Sequence, residues 1–199
     1  MRNIQIIELD FGNVGSVERA FKRAYGLDSE LIKRPCEVKN NSLVVIPGVG
    51  NFDHAMDKLD ENEWVAFIKS LEGADEVSFF GICLGMQLFF DGSEEGSSSG
   101  LGILKGTLRS FGGLRRQSIR PTHIGWNAVS DFSNNGAIGP YYFVHSYFAP
   151  VDPQYTRYSA TYGVEFSAAI EYKNFVGTQF HPEKSGRKGV KYLRDQLKC

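Results

Sequence analysis

Cysteine is scarce in this chain: three in 199 residues, at Cys36, Cys83 and Cys199. The odd number and the wide, irregular spacing exclude a disulfide framework and a cysteine-based zinc site, and they fit a reducing, cytoplasmic setting. Excess charge of either sign is also lacking. The formal net charge is −1, so no broad field points to nucleic acid or to an anionic membrane. Long apolar runs are missing as well: none approaches the ~20 residues of a membrane-spanning helix. The opening "MRNIQIIELDFGN" is too short in its apolar part for a signal-peptide core. Internal repeats and long linkers are not seen.

What is present is the balance of an ordinary globular protein, with 42% hydrophobic and 23% charged residues. The length suits one domain, residues 1–199, large enough to bury a core without staples. "NIQIIEL" (3–9) reads as a buried strand closed by the turn "DFGNVGS". "SVERAFKRAY" (16–25) reads as a helix with Val17, Ala20, Phe21 and Ala24 on one face and Ser16 as its cap. Residues 42–46 of "SLVVIPGVG" form a second strand, followed by helical periodicity over 54–71. "EVSFF" (76–80) is a strand and "LGMQLFF" (84–90) a helix. Beyond lie a polar, flexible loop, "GSEEGSSSG" (92–100), and four β-rich runs: "YYFVHSYF", "TRYSATY", "SAAIEY" and "NFVGTQF". "KGVKYLRDQL" (188–197) closes the chain as an amphipathic helix. Arg109, Arg115, Arg116 and Arg120 form a modest basic stretch that reads as a solvated loop. This order predicts an α/β fold with a mixed, largely parallel central sheet and a β-rich second half.

One stretch asks for more than packing. In "FFGICLGMQ", Cys83 stands between two glycines where a strand turns into a helix. Small residues on both sides allow a tight turn that exposes the side chain at the sheet end, the cysteine version of a nucleophile elbow. A helix start favours thiolate, and the amide of Leu84 is placed to bind a developing oxyanion. Downstream, "GTQFHPEKSG" carries His181 and Glu183 two residues apart, on one side of an extended chain. A thiol, an imidazole base and a carboxylate that orients it make an activated nucleophile. Gln87, one helical turn after Cys83, falls on the same face and is a candidate substrate contact. His54 reads as a surface helix residue.

With "PGVGNFDHAM", "HIGWN" (123–127) and "YYFVHSY" (141–147), these motifs resemble the class I, triad-type glutamine amidotransferase family over nearly the whole chain. Within that family they are similar to the glutaminase subunits of imidazole glycerol phosphate synthase. The resemblance implies a flavodoxin-like three-layer fold and hydrolysis of L-glutamine through a thioester on Cys83, with His181 as acid and base and Glu183 holding its ring. It implies backbone contacts to substrate and oxyanion from Gly48, Val49 and Gly50, whose peptide flips under a partner's control, and from the chain around His145, Ser146 and Tyr147. His123, Trp126 and Asn127 are expected near the partner interface. No cofactor or metal is expected.

The expected partner is a separate synthase subunit, a (βα)₈-barrel cyclase of histidine biosynthesis in a heterodimer that receives the ammonia. Paralogues that supply ammonia for amidination of a bacterial cell-surface sugar share the glutaminase motifs and remain an alternative. A stand-alone cysteine hydrolase could use the same triad. Two departures lie on the side expected to face a synthase: "DFGNVGS" replaces the family's longer Tyr-Gly-Met-Gly-Asn turn, and Thr122 rather than proline precedes His123.

Overall fold

The structure is a computed structural model and describes residues 3–114 and 119–196; Arg115, Arg116, Leu197 and Cys199 lie outside the described residues. The first half alternates strands and helices: β1 (Asn3–Ile7), α1 (Val14–Tyr25), β2 (Glu30–Ile32), β3 (Ser42–Gly48), α2 (Phe52–Glu61), α3 (Trp64–Ser70), β4 (Val77–Cys83) and α4 (Leu84–Gln87). The second half is β-rich: β5 (Phe90–Ser93), β6 (Leu104–Ser110), β7 (His123–Asp131), β8 (Ala137–His145), β9 (Tyr147–Phe148), β10 (Thr156–Tyr162), β11 (Val164–Tyr172) and β12 (Phe175–Thr178). Helix α5 (Gly186–Gln196) follows.

Nine strands form one sheet in the order β2-β1-β3-β4-β12-β11-β10-β7-β8. From β2 to β12 the pairs are parallel, and from β12 to β8 they are antiparallel. Strand β12 is therefore the seam. It lies parallel to β4 and carries the chain on to His181, so the sheet itself brings that residue to the end where β4 delivers Cys83. Strands β5, β6 and β9 make a separate small sheet.

Alternation along the buried strands feeds two cores. Val44 and Ile46 of β3 join the core under α2 and α3 with Phe52, Leu59 and Trp64; Leu43 and Val45 join the one under α1 and α5 with Phe21 and Leu193. The result is helix, sheet, helix, the three-layer arrangement expected. The four residues expected on the buried face of α1, Val17, Ala20, Phe21 and Ala24, are its buried residues.

Several boundaries differ from the sequence reading. Asn13, not Ser16, precedes α1; the Ser16 hydroxyl instead accepts a bond from Arg19. The periodic stretch 54–71 is two helices, because Glu63 adopts a left-handed backbone, φ 66°, that turns the chain and lets Trp64 restart on the core. The helix after Cys83 ends at Gln87, since Phe89 and Phe90 are needed in the core and Phe90 already begins β5. Strands β2, β6 and β7 were not anticipated; β6 places Arg109 beside Glu94 in an ion pair rather than in a loop.

The polar segment 92–100 is fastened rather than free. The Asp53 carboxylate accepts bonds from the amides of Ser97 and Ser98, and Glu95 accepts from the amide of Phe52 at the start of α2. Backbone bonds to Asp53 hold its carboxyl below its ordinary pKa. Replacing Asp53 by Ala is expected to drop hydrogen-exchange protection of the Ser97 and Ser98 amides to that of unbonded loop amides while leaving strand β3 protected. Unchanged protection would show that the segment is held some other way.

Candidate active site

Strand β4 ends on Cys83 with φ 54° and ψ −107°, a left-handed backbone that a non-glycine residue adopts at a cost of order 1–3 kcal/mol. The neighbouring glycines are required by close approach: a Cβ on Gly85 would lie 1.9 Å from the Ile46 carbonyl oxygen, and one on Gly81 would lie 2.5 Å from the Met86 nitrogen. The elbow read from the sequence is therefore present, and Cys83 is buried at the floor of a cavity. Helix α4 has only one turn, so local amides rather than a long dipole act on the sulfur.

The cavity measures about 370 Å³, within the range of small-molecule sites. Its wall includes Val49, Gly50, Leu84, Gln87, His145, Ser146 and Tyr147. Glu95, Thr122, Val144 and Lys184 complete it. Gly48 and His181 are not on the wall; Gly48 is buried one residue behind, its site for a Cβ 2.4 Å from the Gly85 nitrogen. Thr122, where the family has proline, shares a 2.8 Å hydrogen bond with the Ser146 hydroxyl inside the cavity.

His181 follows β12 and is 1% exposed. Its Nδ1 lies 2.7 Å from Glu183 Oε1, as an orienting carboxylate requires. Its Nε2 is buried and has no hydrogen-bond partner among the described residues, and neither has Glu183 Oε2. Burial pulls the imidazole pKa down, but the interaction with the Cys83 sulfur, by charge and by hydrogen bond, and then that with Glu183 outweigh it and raise the ring to about 10. The sulfur also meets two other groups: Sγ donates to the Val144 carbonyl at 3.8 Å and accepts from Gln179 Nε2 at 3.6 Å. The imidazole, its carboxylate and the sulfur are thus together.

The oxyanion strand is turned aside in part. The Val49 amide donates to the Phe11 carbonyl at 2.9 Å, so it is not available to a substrate oxygen. Phe11 belongs to the "DFGNVGS" turn, which ties that segment directly to "PGVG". Both amide hydrogens of Gln87 are used, one on the Tyr147 carbonyl and one on Gln179 Oε1, leaving its oxygen to face a ligand.

At the expected partner face, Trp126 is 58% exposed, and Ile124 beside it is 64% exposed. His123 is instead buried beneath that face, stacked between Phe143 and Tyr162, because alternation along β7 turns it inward. Asn127 points the same way and bonds the Thr161 carbonyl. His54 is exposed on α2, as read. The sequence reading missed Gln179, Glu95 and Lys184. "EKSG" and "SEEG" stood beside the motifs, and only the folded cavity marks which of their charges face inward.

The profile of the class-I glutamine amidotransferases matches residues 10–199, and the chain belongs to that family. It is 35% identical to the imidazole glycerol phosphate synthase subunit HisH of Bdellovibrio bacteriovorus, over 96% of this chain and 98% of that protein. It is 39% identical to the HisH of Pyrococcus furiosus, over 98% of each chain. Among solved structures, a glutamine amidotransferase superposes with a TM-score of 0.70 at 14% identity, covering 97% of both chains. PurLQS from Thermotoga maritima superposes at 0.69 with 16% identity, covering 97% of this chain and 96% of that one. At such identities these structures support the fold alone.

The charge balance around His181 makes a test. In Cys83→Ala the sulfur is gone while burial remains, so the His181 ring should titrate at lower pH than in the native protein when followed by its ring-proton NMR signal. A midpoint that stays put would mean that the sulfur does not act on the imidazole.

Proposed function

We propose that this chain is the glutaminase subunit of an imidazole glycerol phosphate synthase, working in the cytoplasm. It releases ammonia from L-glutamine for a separate (βα)₈-barrel cyclase in histidine biosynthesis. The observation that carries the reading is the elbow cysteine on the floor of a cavity beside a buried imidazole held by a carboxylate. Full-length similarity to HisH proteins supports the pathway.

The chemistry follows from the atoms. Glutamine enters with its carboxamide toward Cys83; its ammonium is matched by Glu95 and its carboxylate by Lys184, opposite charges on the cavity wall. The Cys83 sulfur lies beside the His181 ring, whose Nε2 has no well-directed hydrogen bond among the described residues. His181 takes the proton as sulfur attacks the carboxamide carbon. The imidazolium then protonates the departing nitrogen, and ammonia leaves a thioester on Cys83. Water, deprotonated by His181, cleaves the thioester to glutamate and restores the thiol. Glu183 holds the ring in the required tautomer throughout.

The developing oxyanion needs backbone donors; losing one typically costs about 2.7–4 kcal/mol of barrier. Leu84 offers one at the head of α4. A second from "PGVG" requires the Val49 amide to leave Phe11, a rearrangement of the peptide chain that docking of the synthase near Trp126 and the Phe11 turn would drive. The glutaminase is therefore slow alone and fast in complex.

Cys83→Ala should lower glutamine-dependent glutamate release by roughly four orders of magnitude. The same variant in complex with the cyclase should keep ammonia-driven synthesis, because the interface is untouched. Glutamate release that survives the substitution would contradict the thioester mechanism. Co-purification of Cys83→Ala protein with a (βα)₈ cyclase supports the histidine pathway; co-purification with an ATP-using sugar amidotransferase contradicts it.

A further inference from the structure

Two buried histidines take no part in the chemistry above. His123 and His145 face each other on the paired strands β7 and β8. His145 Nδ1 lies 2.8 Å from the Tyr147 carbonyl oxygen, its Nε2 lies 3.0 Å from His123 Nδ1, and His123 Nε2 lies 3.2 Å from Asn127 Nδ2. The two ends fix every proton between them. A carbonyl only accepts, so His145 carries its hydrogen on Nδ1 and presents a lone pair at Nε2. His123 must then carry its hydrogen on Nδ1 and accept at Nε2. Asn127 Nδ2 also donates to the Thr161 carbonyl at 2.9 Å, which sets the amide so that N–H faces that acceptor. Burial keeps both rings neutral, lowering His123 to about 4 and His145 to about 3. With an amide at one end and a carbonyl at the other, the row orients groups and conducts no proton.

The Tyr147 carbonyl is a junction. It accepts a second bond from Gln87 Nε2 at 2.9 Å, and that amide's other hydrogen goes to Gln179 Oε1 at 3.0 Å. Gln179 is therefore left to present Nε2 to Cys83 Sγ, at 3.6 Å. Gln179 is 0% exposed, so water offers it no alternative partner. We infer that Gln179 is a positioning residue for the nucleophile, its amide aimed at the Cys83 sulfur by a directed row of hydrogen bonds through Gln87, the Tyr147 carbonyl, His145, His123 and Asn127. The row begins on the inner side of β7, the strand whose outer side exposes Ile124 and Trp126. An N–H aimed at sulfur stabilises the thiolate and sets the direction from which it attacks.

This inference rests on the glutaminase reading only for the identity of the substrate. Nitrogen-15 NMR of the native protein, labelled in its histidines, reads the tautomers directly. Both His123 and His145 should carry hydrogen on Nδ1, against the Nε2 preference of free imidazole side chains; Nε2–H on either ring overturns the row. Gln179→Met keeps volume and removes both amide bonds. Its Cys83 should react with iodoacetamide about tenfold more slowly near neutral pH. Its kcat for glutamine should fall in step, with KM unchanged within about twofold. A folded Gln179→Met whose alkylation rate matches the native protein, with only KM or Tm altered, overturns the positioning role. If tautomers and alkylation behave as expected while native protein with its synthase releases no glutamate, the glutaminase reading fails and the positioning of Cys83 stands.

Discussion

Strand β4 stops at Cys83 and the chain reverses into α4 so closely over β3 that Gly85 leaves no room for a Cβ against the Ile46 carbonyl. The rest of the site depends on this contact. It forces the left-handed backbone at Cys83, lifts the sulfur off the sheet end, and places Leu84 and Gln87 on the cavity wall. It works only because β3 and β4 are parallel and in register, Gly48 opposite Cys83, so that "PGVG" ends beside the elbow. The parallel pairing of β12 with β4 then delivers His181 to the same end. Three segments far apart in the chain meet because the central strands share one direction.

Within that frame the charges are arranged for a reaction that has not begun. His181 is held by Glu183 on one nitrogen and has no well-directed hydrogen bond on the other among the described residues, while the nearby sulfur also meets Val144 and Gln179. Leaving a buried ring nitrogen without a well-directed hydrogen bond costs of order 1–3 kcal/mol, which a better-aligned thiol or a bound substrate recovers. The Val49 amide is likewise spent on Phe11. A glutaminase that wasted glutamine without an acceptor would be a liability, and under the proposed function both features would hold the site idle until substrate and synthase arrive.

How much of this the sequence carries varies with how local the cause is. The elbow was legible because Gly81 and Gly85 answer a local steric demand, and the His181–Glu183 pair because two residues in extended chain face one way. The three-layer fold followed from alternating strands and helices, and the buried face of α1 matched residue by residue. The break at Glu63 was hidden, since helical periodicity continues on both sides of it. His123 was placed at the surface by its neighbours in "HIGWN", yet its burial follows from strand alternation that only the pairing with β8 establishes. Gln179 was invisible for a related reason: a glutamine in "GTQF" reads as solvent-facing until Gln87, distant in sequence, is seen to meet it. The pinning of segment 92–100 depends in the same way on Phe52 and Asp53, on the far side of β4 in the chain.

The central claim is that glutamine's carboxamide meets the Cys83 sulfur in this cavity. Incubation with a diazoketone analogue of glutamine, which alkylates a nucleophile bound at the carboxamide position, followed by peptide mass spectrometry, tests it most directly. The account predicts one adduct, on Cys83, blocked by excess glutamine and formed faster when the synthase is present. Label on exposed Cys36 instead, or labelling of Cys83 that glutamine does not slow, would contradict it.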